Sequence, residues 1–158
     1  MTSGLAYYNS PVGELEIQSE GDAITLVGFL RNDKRPEHLT SVIKTCIQEL
    51  EEYFYSGRKF FDVKIQLNGS AFQVSVWNQL IEIPYGKTTY YADIAEKVGD
   101  INSVRAVGLA NGQNPIAIIV PCHRVIGKDG SLVGYGGGLE RKTWLLRHEG
   151  ALNQLELF

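Results

Sequence analysis

Pro115 and Pro121 enclose a run of five apolar residues, Ile116–Val120, the longest such run in the chain. Proline restricts its own φ and has no backbone N–H, so regular elements usually end beside it. The enclosed run suits a buried strand and is far too short to cross a bilayer. The 158 residues are enough to bury the core that such a strand requires, as one domain or as two small ones.

Residues 1–69 are expected to form a small α/β domain. Alternating patterns predict three strands: Leu5–Tyr8, Gly13–Ser19 and Ala23–Leu30. Apolar residues at three- and four-residue spacing then predict a helix from Pro36 to Tyr55, and Lys59–Gln66 favours one more short strand.

Residues 70–158 are expected to form a mostly helical second domain. One predicted helical face carries Phe72, Val76, Leu80 and Ile81. A second helix fits Tyr91–Val98, and a third begins at Asn102 or Ser103 and runs to about Gln113. The tight turn between them is typical of a helix-turn-helix, and a last helix fits Leu139–Glu149. The predicted fold class is α+β: an antiparallel sheet with a helix, then a winged-helix or helix-turn-helix domain.

The net charge of −3 argues at first against a nucleic-acid partner. The whole imbalance lies in residues 1–70, with 7 basic and 10 acidic residues, whereas residues 71–158 carry 8 of each. The segment Ile101–Lys128 has no acidic residue but contains Arg105, Arg124 and Lys128. Screening makes such a local patch count for more than the total charge. Ordinary scatter of three cations explains the pattern equally well.

The start of the chain, Met1–Gly4, has no basic and apolar segments of the kind that direct export, so we expect a cytoplasmic protein. The two cysteines are too few for a disulfide framework or for a zinc site built on cysteine alone. Cys46 falls on the inward face of the first predicted helix and is expected to be a core residue. His38, at the start of that helix, is expected to be solvated.

Two glycine-containing segments imitate nucleotide-binding loops without matching them. Gly86–Thr89 resembles the end of a P-loop, but Ile81 stands where the first glycine is required, and a helix precedes the segment instead of a strand. Gly134–Gly138 matches neither nucleotide fingerprint. Its glycines indicate positive φ angles or a close approach of the backbone to another group, or else simple flexibility.

Cys122 is the candidate nucleophile, because it follows the proline-bounded run and His123 and Arg124 come directly after it. Thiolate is the reactive form of cysteine, and a neighbouring imidazole and guanidinium would favour it. Successive side chains of an extended strand point to opposite faces, so Cys122 and His123 can share a proton only through a turn or a water.

The segment Pro121–Val125 resembles the signature of the O6-alkylguanine-DNA alkyltransferases, also called methylated-DNA–protein-cysteine methyltransferases. The resemblance includes Arg105–Gly108, Tyr91–Ala95, the glycine loop with Tyr135, and the ending His148–Gly150, and it covers essentially residues 71–158. Residues 1–69 fit this family only in length and α/β character.

This resemblance implies irreversible transfer of an alkyl group from guanine O6 to Cys122, with one turnover per molecule and no cofactor. It implies that His123 activates the cysteine through a water, that Glu149 orients the histidine, and that Asn114 braces the turn. A carboxylate that stabilises the resulting imidazolium makes physical sense of these roles.

The resemblance also implies that the target base is flipped out of double-stranded DNA approached from the minor groove. Arg105 would fill the gap in the duplex, and Tyr91 would crowd the phosphate and hydrogen-bond the leaving guanine. The DNA-facing positions beside them are Ser103, Ala106 and Gly108. The base pocket would consist of Tyr91, Val125, Tyr135, Gly136 and Gly137. We expect a monomer with no membrane partner.

Two departures from the family carry expectations of their own. Some members have a serine where this chain has Gly136, so we expect a pocket open to larger alkyl groups. Some members hold zinc in the first domain, but residues 1–69 offer only Cys46 and His38, so no metal is expected.

Three other functions compete with alkyl transfer. A binding module that recognises alkylated DNA without accepting the group would lack the cysteine that this chain has at 122. A cysteine hydrolase would need an acyl-substrate site, and no papain-type or caspase-type signature occurs. A transcription regulator is commonly basic and dimeric, and the predicted recognition helix here offers only one cation, Arg105.

Overall fold

The computed structural model of the protein describes residues 2–130, 132 and 135–152. The chain divides into two compact units. The first unit comprises Met1–Asn68 and Pro115–Ala117, and the second comprises Gly69–Asn114 and Ile118–Phe158. In the described part of the chain, no helix is both long and apolar enough to cross a membrane.

The first unit is an antiparallel sheet with one helix packed against it. Its strands are β1 (Ser3–Ser10), β2 (Gly13–Glu20) and β3 (Ala23–Phe29), in the order β1-β2-β3. Helix α1 (Ser41–Tyr55) begins where the Thr40 side chain accepts a hydrogen bond from Ile43 N. Alternate residues of β2 and the apolar face of α1 are fully buried, as strand and helix periodicity require.

The three predicted strands are present, but two other expectations for this unit are wrong. The helix starts at Ser41 and not at Pro36, because Thr40 supplies the cap. His38 therefore lies outside α1, where its backbone pairs with that of Leu5. The segment Lys59–Gln66 forms no regular strand; within it, Ile65 makes a single parallel bridge to Ile24.

The second unit is mostly helical. Its helices are α2 (Ala71–Ile81), α3 (Tyr91–Lys97), α4 (Val104–Gly112) and α5 (Leu139–His148), and a parallel pair of two-residue strands joins β4 (Thr89–Tyr90) to β5 (Val125–Ile126). Helix α2 buries Val76, Trp77 and Leu80. Phe72 and Ile81, which were predicted to face inward, are 37% and 43% exposed. The indole Nε1 of Trp77 donates to the Ala110 carbonyl of α4 (2.8 Å), so the larger ring takes the inward position.

Helices α3 and α4 follow one another through a short 3-10 turn, Ile101–Ser103. Gly99 has φ 107°, a conformation that favours glycine, at the bend that ends α3. The Asp100 side chain accepts a hydrogen bond from Asn102 N, and this bond caps the turn before α4. The pair has the arrangement of short helices that the sequence predicted for a helix-turn-helix.

The proline-bounded run is buried, but it is not a strand. Ala117 N donates to the Val27 carbonyl (2.8 Å) and Val27 N donates to the Pro115 carbonyl (3.0 Å), so its first residues add a short bridge to β3. Ile118 then has φ 73°, in the left-handed region that side chains with a branched Cβ rarely adopt. The chain turns there, and an extended conformation cannot continue to Val120.

Candidate active site

The candidate nucleophile lies in a tight turn. Cys122–Arg124 form one turn of 3-10 helix, in which Arg124 N donates to the Pro121 carbonyl (3.0 Å). Cys122 is 5% exposed and His123 is 0% exposed. Because this backbone is not extended, the side chains of Cys122 and His123 are not forced onto opposite faces, and the objection to their cooperation is removed.

His123 pairs with Glu149, which directly follows α5. The His123 Nε2 atom lies 2.8 Å from the Glu149 Oε2 atom, and both side chains are fully buried. Burial lowers the pKa of His123 and outweighs the effect of the carboxylate beside it, so the ring is neutral at pH 7. A neutral ring that donates from Nε2 carries no hydrogen on Nδ1. The buried Nδ1 has no hydrogen-bond partner among the residues that the structure describes.

Arg124 holds the same carboxylate, a role that the sequence did not predict. Its Nε lies 2.8 Å from Glu149 Oε1, its Nη2 lies 3.0 Å from Glu149 Oε2, and its Nη1 donates to the Ile83 carbonyl (2.6 Å). Burial alone would raise the pKa of Glu149, but the hydrogen bonds and charges of His123 and Arg124 outweigh it and hold that pKa well below its usual range. Arg124 is 6% exposed and therefore does not contribute to a cationic surface.

The surroundings of Cys122 favour the thiol over the thiolate. Burial raises its pKa to about 11, although the hydrogen bond from Asn114 and the charge of Lys142 act in the opposite direction. The neighbouring imidazole is neutral, and the Arg124 guanidinium is engaged with Glu149. The expectation that these neighbours favour the thiolate is therefore wrong for the resting protein.

Asn114 lies beside the turn, as the resemblance implied. Its Nδ2 atom donates to the Val120 carbonyl (2.8 Å), and its side chain also hydrogen-bonds Cys122. One amide thus contacts both the residue that leads into the turn and the thiol.

Two of the predicted pocket residues, Tyr91 and Tyr135, lie within electrostatic range of Cys122, and a third follows it in the chain. Burial raises the pKa of both phenols, and an ionised Cys122 would raise it further. Val125 is fully buried and follows the 3-10 turn directly.

The predicted glycines of the loop occupy different environments. Gly136 is exposed and Gly137 is half-buried, whereas Gly134 lies outside the described residues. A Cβ atom at 136 would lie 3.1 Å from the Gly112 carbonyl oxygen at the end of α4. This close approach of two backbone segments supplies a reason for Gly136 that is independent of pocket width.

Lys142 is a second buried cation that the sequence did not assign. It is 0% exposed, its Nζ donates to the Val125 carbonyl (2.6 Å), and it lies 5.9 Å from the centroid of the Tyr91 ring. Burial lowers its pKa to about 8, whereas an ionised Cys122 would act to raise it. The available signal was spacing, because Lys142 and Leu145 are three residues apart on α5 and Glu149, just after the helix, follows four residues later.

The predicted DNA-facing residues lie mostly on the outer side of α4. Arg105 and Ala106 are exposed and Ser103 is half-buried. Arg105 forms no ion pair with the residues that the structure describes. Gly108 instead faces inward, since a Cβ at this position would lie 4.0 Å from the Tyr91 ring.

The fold defines a protein of two units. In the second unit, a buried cysteine lies next to a helix-turn-helix and is followed by a histidine that pairs with a carboxylate. The family description "6-O-methylguanine DNA methyltransferase, DNA binding domain" matches residues 71–151, and the "ribonuclease-like domain" of the same family matches residues 5–67. The chain belongs to the methylated-DNA–protein-cysteine methyltransferase family. The resemblance seen over residues 71–158 thus extends to the first part of the chain.

Individual relatives agree over nearly the full length. A methylated-DNA–protein-cysteine methyltransferase of Methanosarcina acetivorans is 45% identical over 152 residues, which cover 92% of this chain and 97% of the relative. The crystal structure of the Mycobacterium tuberculosis O6-methylguanine methyltransferase has a TM-score of 0.85 at 41% identity and covers 99% of each chain. A crystal structure of M. tuberculosis OGT in complex with DNA has a TM-score of 0.84 at 42% identity, covering 97% of this chain and 96% of that one.

These similarities confirm three predictions made from the sequence. The family is the predicted one, the architecture is α+β with a helical DNA-binding domain, and the activity is that of a DNA-repair protein-cysteine methyltransferase. The roles of individual residues are not given by them.

Proposed function

We propose that this protein repairs double-stranded DNA by transferring the alkyl group of O6-alkylguanine to Cys122, once per molecule and without a cofactor. The observation that carries the proposal is the buried His123–Glu149 pair directly after the buried Cys122, in one 3-10 turn of a member of this family. A 42% identical relative has been crystallised with DNA, which supports DNA as the partner.

In the proposed reaction, the Cys122 sulfur attacks the alkyl carbon bonded to guanine O6. The thiol proton passes through a water to His123 Nδ1, a new S–C bond forms, and the C–O6 bond breaks with its electron pair left on guanine. Tyr91 donates its O–H hydrogen to the guanine ring, so the guanine that loses the alkyl group is restored in the DNA as the neutral base. Solvent then returns a proton to Tyr91. The thioether product has no leaving group to expel, so the protein is spent.

Glu149 and Arg124 make this proton transfer feasible. Two hydrogen bonds from Arg124 keep the Glu149 carboxylate ionised, and the carboxylate fixes the tautomer of His123 with its hydrogen on Nε2. The basic Nδ1 atom is then the one available to receive the thiol proton. The ionised carboxylate also stabilises the imidazolium once it forms.

The raised pKa of Cys122 fits a protein that reacts once. A thiol with a pKa of about 11 is almost entirely protonated at pH 7, so stray electrophiles and oxidants meet an unreactive group. Activation is then coupled to binding of the target base next to His123.

Helix α4 is proposed to enter the minor groove. The exposed Arg105 would fill the space of the flipped base, and the small residues Ser103 and Ala106 allow the helix to approach closely, whereas Gly108 faces Tyr91 and not the DNA. Tyr91, at the start of α3, would crowd the phosphate, and Val125, Tyr135, Gly136 and Gly137 would line the pocket. Since residues 71–158 carry no net charge, we expect moderate DNA affinity with a shallow salt dependence.

We further propose that the protein acts as a monomer in the cytoplasm. The residues of the proposed site all belong to the second unit, so the reaction as proposed needs no second copy of the chain.

The proposal is tested by incubating the protein with a duplex that contains O6-methylguanine and weighing it intact. We expect one added methyl group per molecule, mapped to Cys122, with no further turnover. Cys122→Ala should take up none, whereas the matched variant Cys46→Ala, which changes the buried cysteine of α1, should react like the wild type. Multiple turnovers, or a methyl group on another residue, would refute the proposal.

A further inference from the structure

Asn111 is a buried polar residue to which the mechanism above assigns no role. It lies near the end of α4 and is 1% exposed. Its Nδ2 atom donates to the Cys122 carbonyl (3.3 Å), and its side chain also hydrogen-bonds the Tyr91 phenol. Its Oδ1 atom is buried and has no hydrogen-bond partner among the described residues.

The contacts of Asn111 determine which way its amide faces. A carbonyl oxygen can only accept, so the amide atom next to the Cys122 carbonyl is the nitrogen. Since Oδ1 makes no hydrogen bond, the bond to Tyr91 also comes from Nδ2. The phenol oxygen of Tyr91 therefore accepts from Asn111, and its single hydrogen is directed to some other acceptor.

This arrangement matters because Tyr91 is the proposed hydrogen donor to the leaving guanine. A tyrosine whose oxygen already accepts an N–H bond is held as a donor, and the same bond stabilises the phenolate as the hydrogen leaves. Burial raises the pKa of Tyr91, an ionised Cys122 would raise it further, and the hydrogen bond from Asn111 acts in the opposite direction.

The packing of α4 supports the same interpretation. Gly108 lies three residues before Asn111, on the same side of the helix, and a Cβ atom added at Gly108 would lie 4.0 Å from the Tyr91 ring, which is ordinary van der Waals contact. One turn of α4 thus lies against both the ring and the oxygen of Tyr91.

Filling space explains Asn111 poorly, because a leucine of similar volume would avoid the cost of the buried Oδ1 atom without a partner among the described residues. The bond from Nδ2 to the Cys122 carbonyl supports the turn, but it does not require the second hydrogen bond to Tyr91.

We propose that Asn111 is a positioning residue for alkyl transfer, which holds Tyr91 as the hydrogen donor to the leaving guanine. This inference rests on the proposed function. It predicts that most of the effect of Asn111 on transfer operates through the Tyr91 hydroxyl and is lost when that hydroxyl is absent.

The test is a double-mutant cycle on the single-turnover rate constant with an O6-methylguanine duplex, measured on the full chain. Asn111→Leu should slow transfer about tenfold, the equivalent of one buried hydrogen bond. In a Tyr91→Phe background, which should itself be slow, the added Asn111→Leu change should cost several-fold less, because only the bond to the Cys122 carbonyl is then lost. Asn68→Leu makes the same chemical change at an exposed position of the first unit and should leave the rate unchanged.

Asn111→Asp provides a second variant of nearly the same shape, which retains the test if the leucine variant fails to fold. Its carboxylate would accept the Tyr91 hydrogen instead of donating to the oxygen, so transfer should slow at least as much as in Asn111→Leu. An equal loss in the presence and absence of the Tyr91 hydroxyl, or no loss in either Asn111 variant, would overturn the inference. Failure of the wild type to take up methyl at Cys122 would instead refute the proposed function.

Discussion

The buried ion pair between Arg124 and Glu149 should make Arg124→Met one of the most destabilising single substitutions in the second unit. The side chain of Arg124 is 7% exposed and that of Glu149 is 0% exposed. Methionine fills much of the same volume but provides none of the three N–H groups that bind Glu149 and the Ile83 carbonyl. The Glu149 carboxylate would remain buried and would keep its contact with His123, but it would lose Arg124.

The magnitude follows from the cost of leaving one member of a buried pair without the other. Such a change costs about 3–5 kcal/mol in the free energy of unfolding. For a chain of this length, 1 kcal/mol corresponds to roughly 2–4 °C in Tm, so the expected fall is about 6–20 °C.

Thermal unfolding followed by circular dichroism measures this change directly. Arg105→Met removes an exposed arginine that makes no ion pair in the described part of the chain, and it should shift Tm by less than about 2 °C. The double variant Arg124→Met/Glu149→Leu removes both charges and should recover much of the lost stability, although it should be inactive. A fall in Tm no larger than that of Arg105→Met, or a double variant no more stable than Arg124→Met, would refute the reasoning.

Two further predictions concern the reaction. Arg105→Ala should slow repair in duplex DNA at least tenfold more than it slows reaction with free O6-alkylguanine, since only the duplex needs a side chain to fill the gap; single-turnover kinetics on both substrates would expose equal losses and so exclude that role. His123 must be neutral to accept the thiol proton, and its pKa lies below its usual value, so the transfer rate should hold steady as pH falls to about 6.5 and decline only below the lowered pKa. A decline that begins near pH 7.5 in a pH–rate profile would contradict this assignment.

Local sequence patterns predicted most of the secondary structure. The strands β1 to β3 and the helices α2 to α5 match their periodic segments to within a few residues. The errors occur where the outcome depended on distant contacts. Trp77 displaced Phe72 and Ile81 from the inward position on α2 because its indole reaches a carbonyl on α4. Nothing within the run Ile116–Val120 indicated that Ile118 would turn the chain.

In the candidate site, too, the residues whose roles depend on distant contacts were not predicted. Cys122, His123 and Glu149 were identified by resemblance, and the structure brings them together. Arg124 was expected to act on the Cys122 thiol and Lys142 was given no role, because the groups that partner these buried cations lie far away in sequence. Glu149 is 25 residues from Arg124, and the Val125 carbonyl is 17 residues from Lys142. Their roles could not be read from neighbouring residues.

The group formed by Cys122, His123 and Glu149 is completed only late in synthesis, because Glu149 lies far along the chain from Cys122. His123 and Glu149 are separated by 26 residues, and the carboxylate lies at the very end of α5. At synthesis rates of about 5–20 residues per second, Cys122 is made roughly 1–5 seconds before Glu149. A growing or truncated chain that stops short of α5 therefore carries the acceptor thiol but not the base assembly. Competence to react is gained when the last helix docks, and the cysteine alone does not confer it.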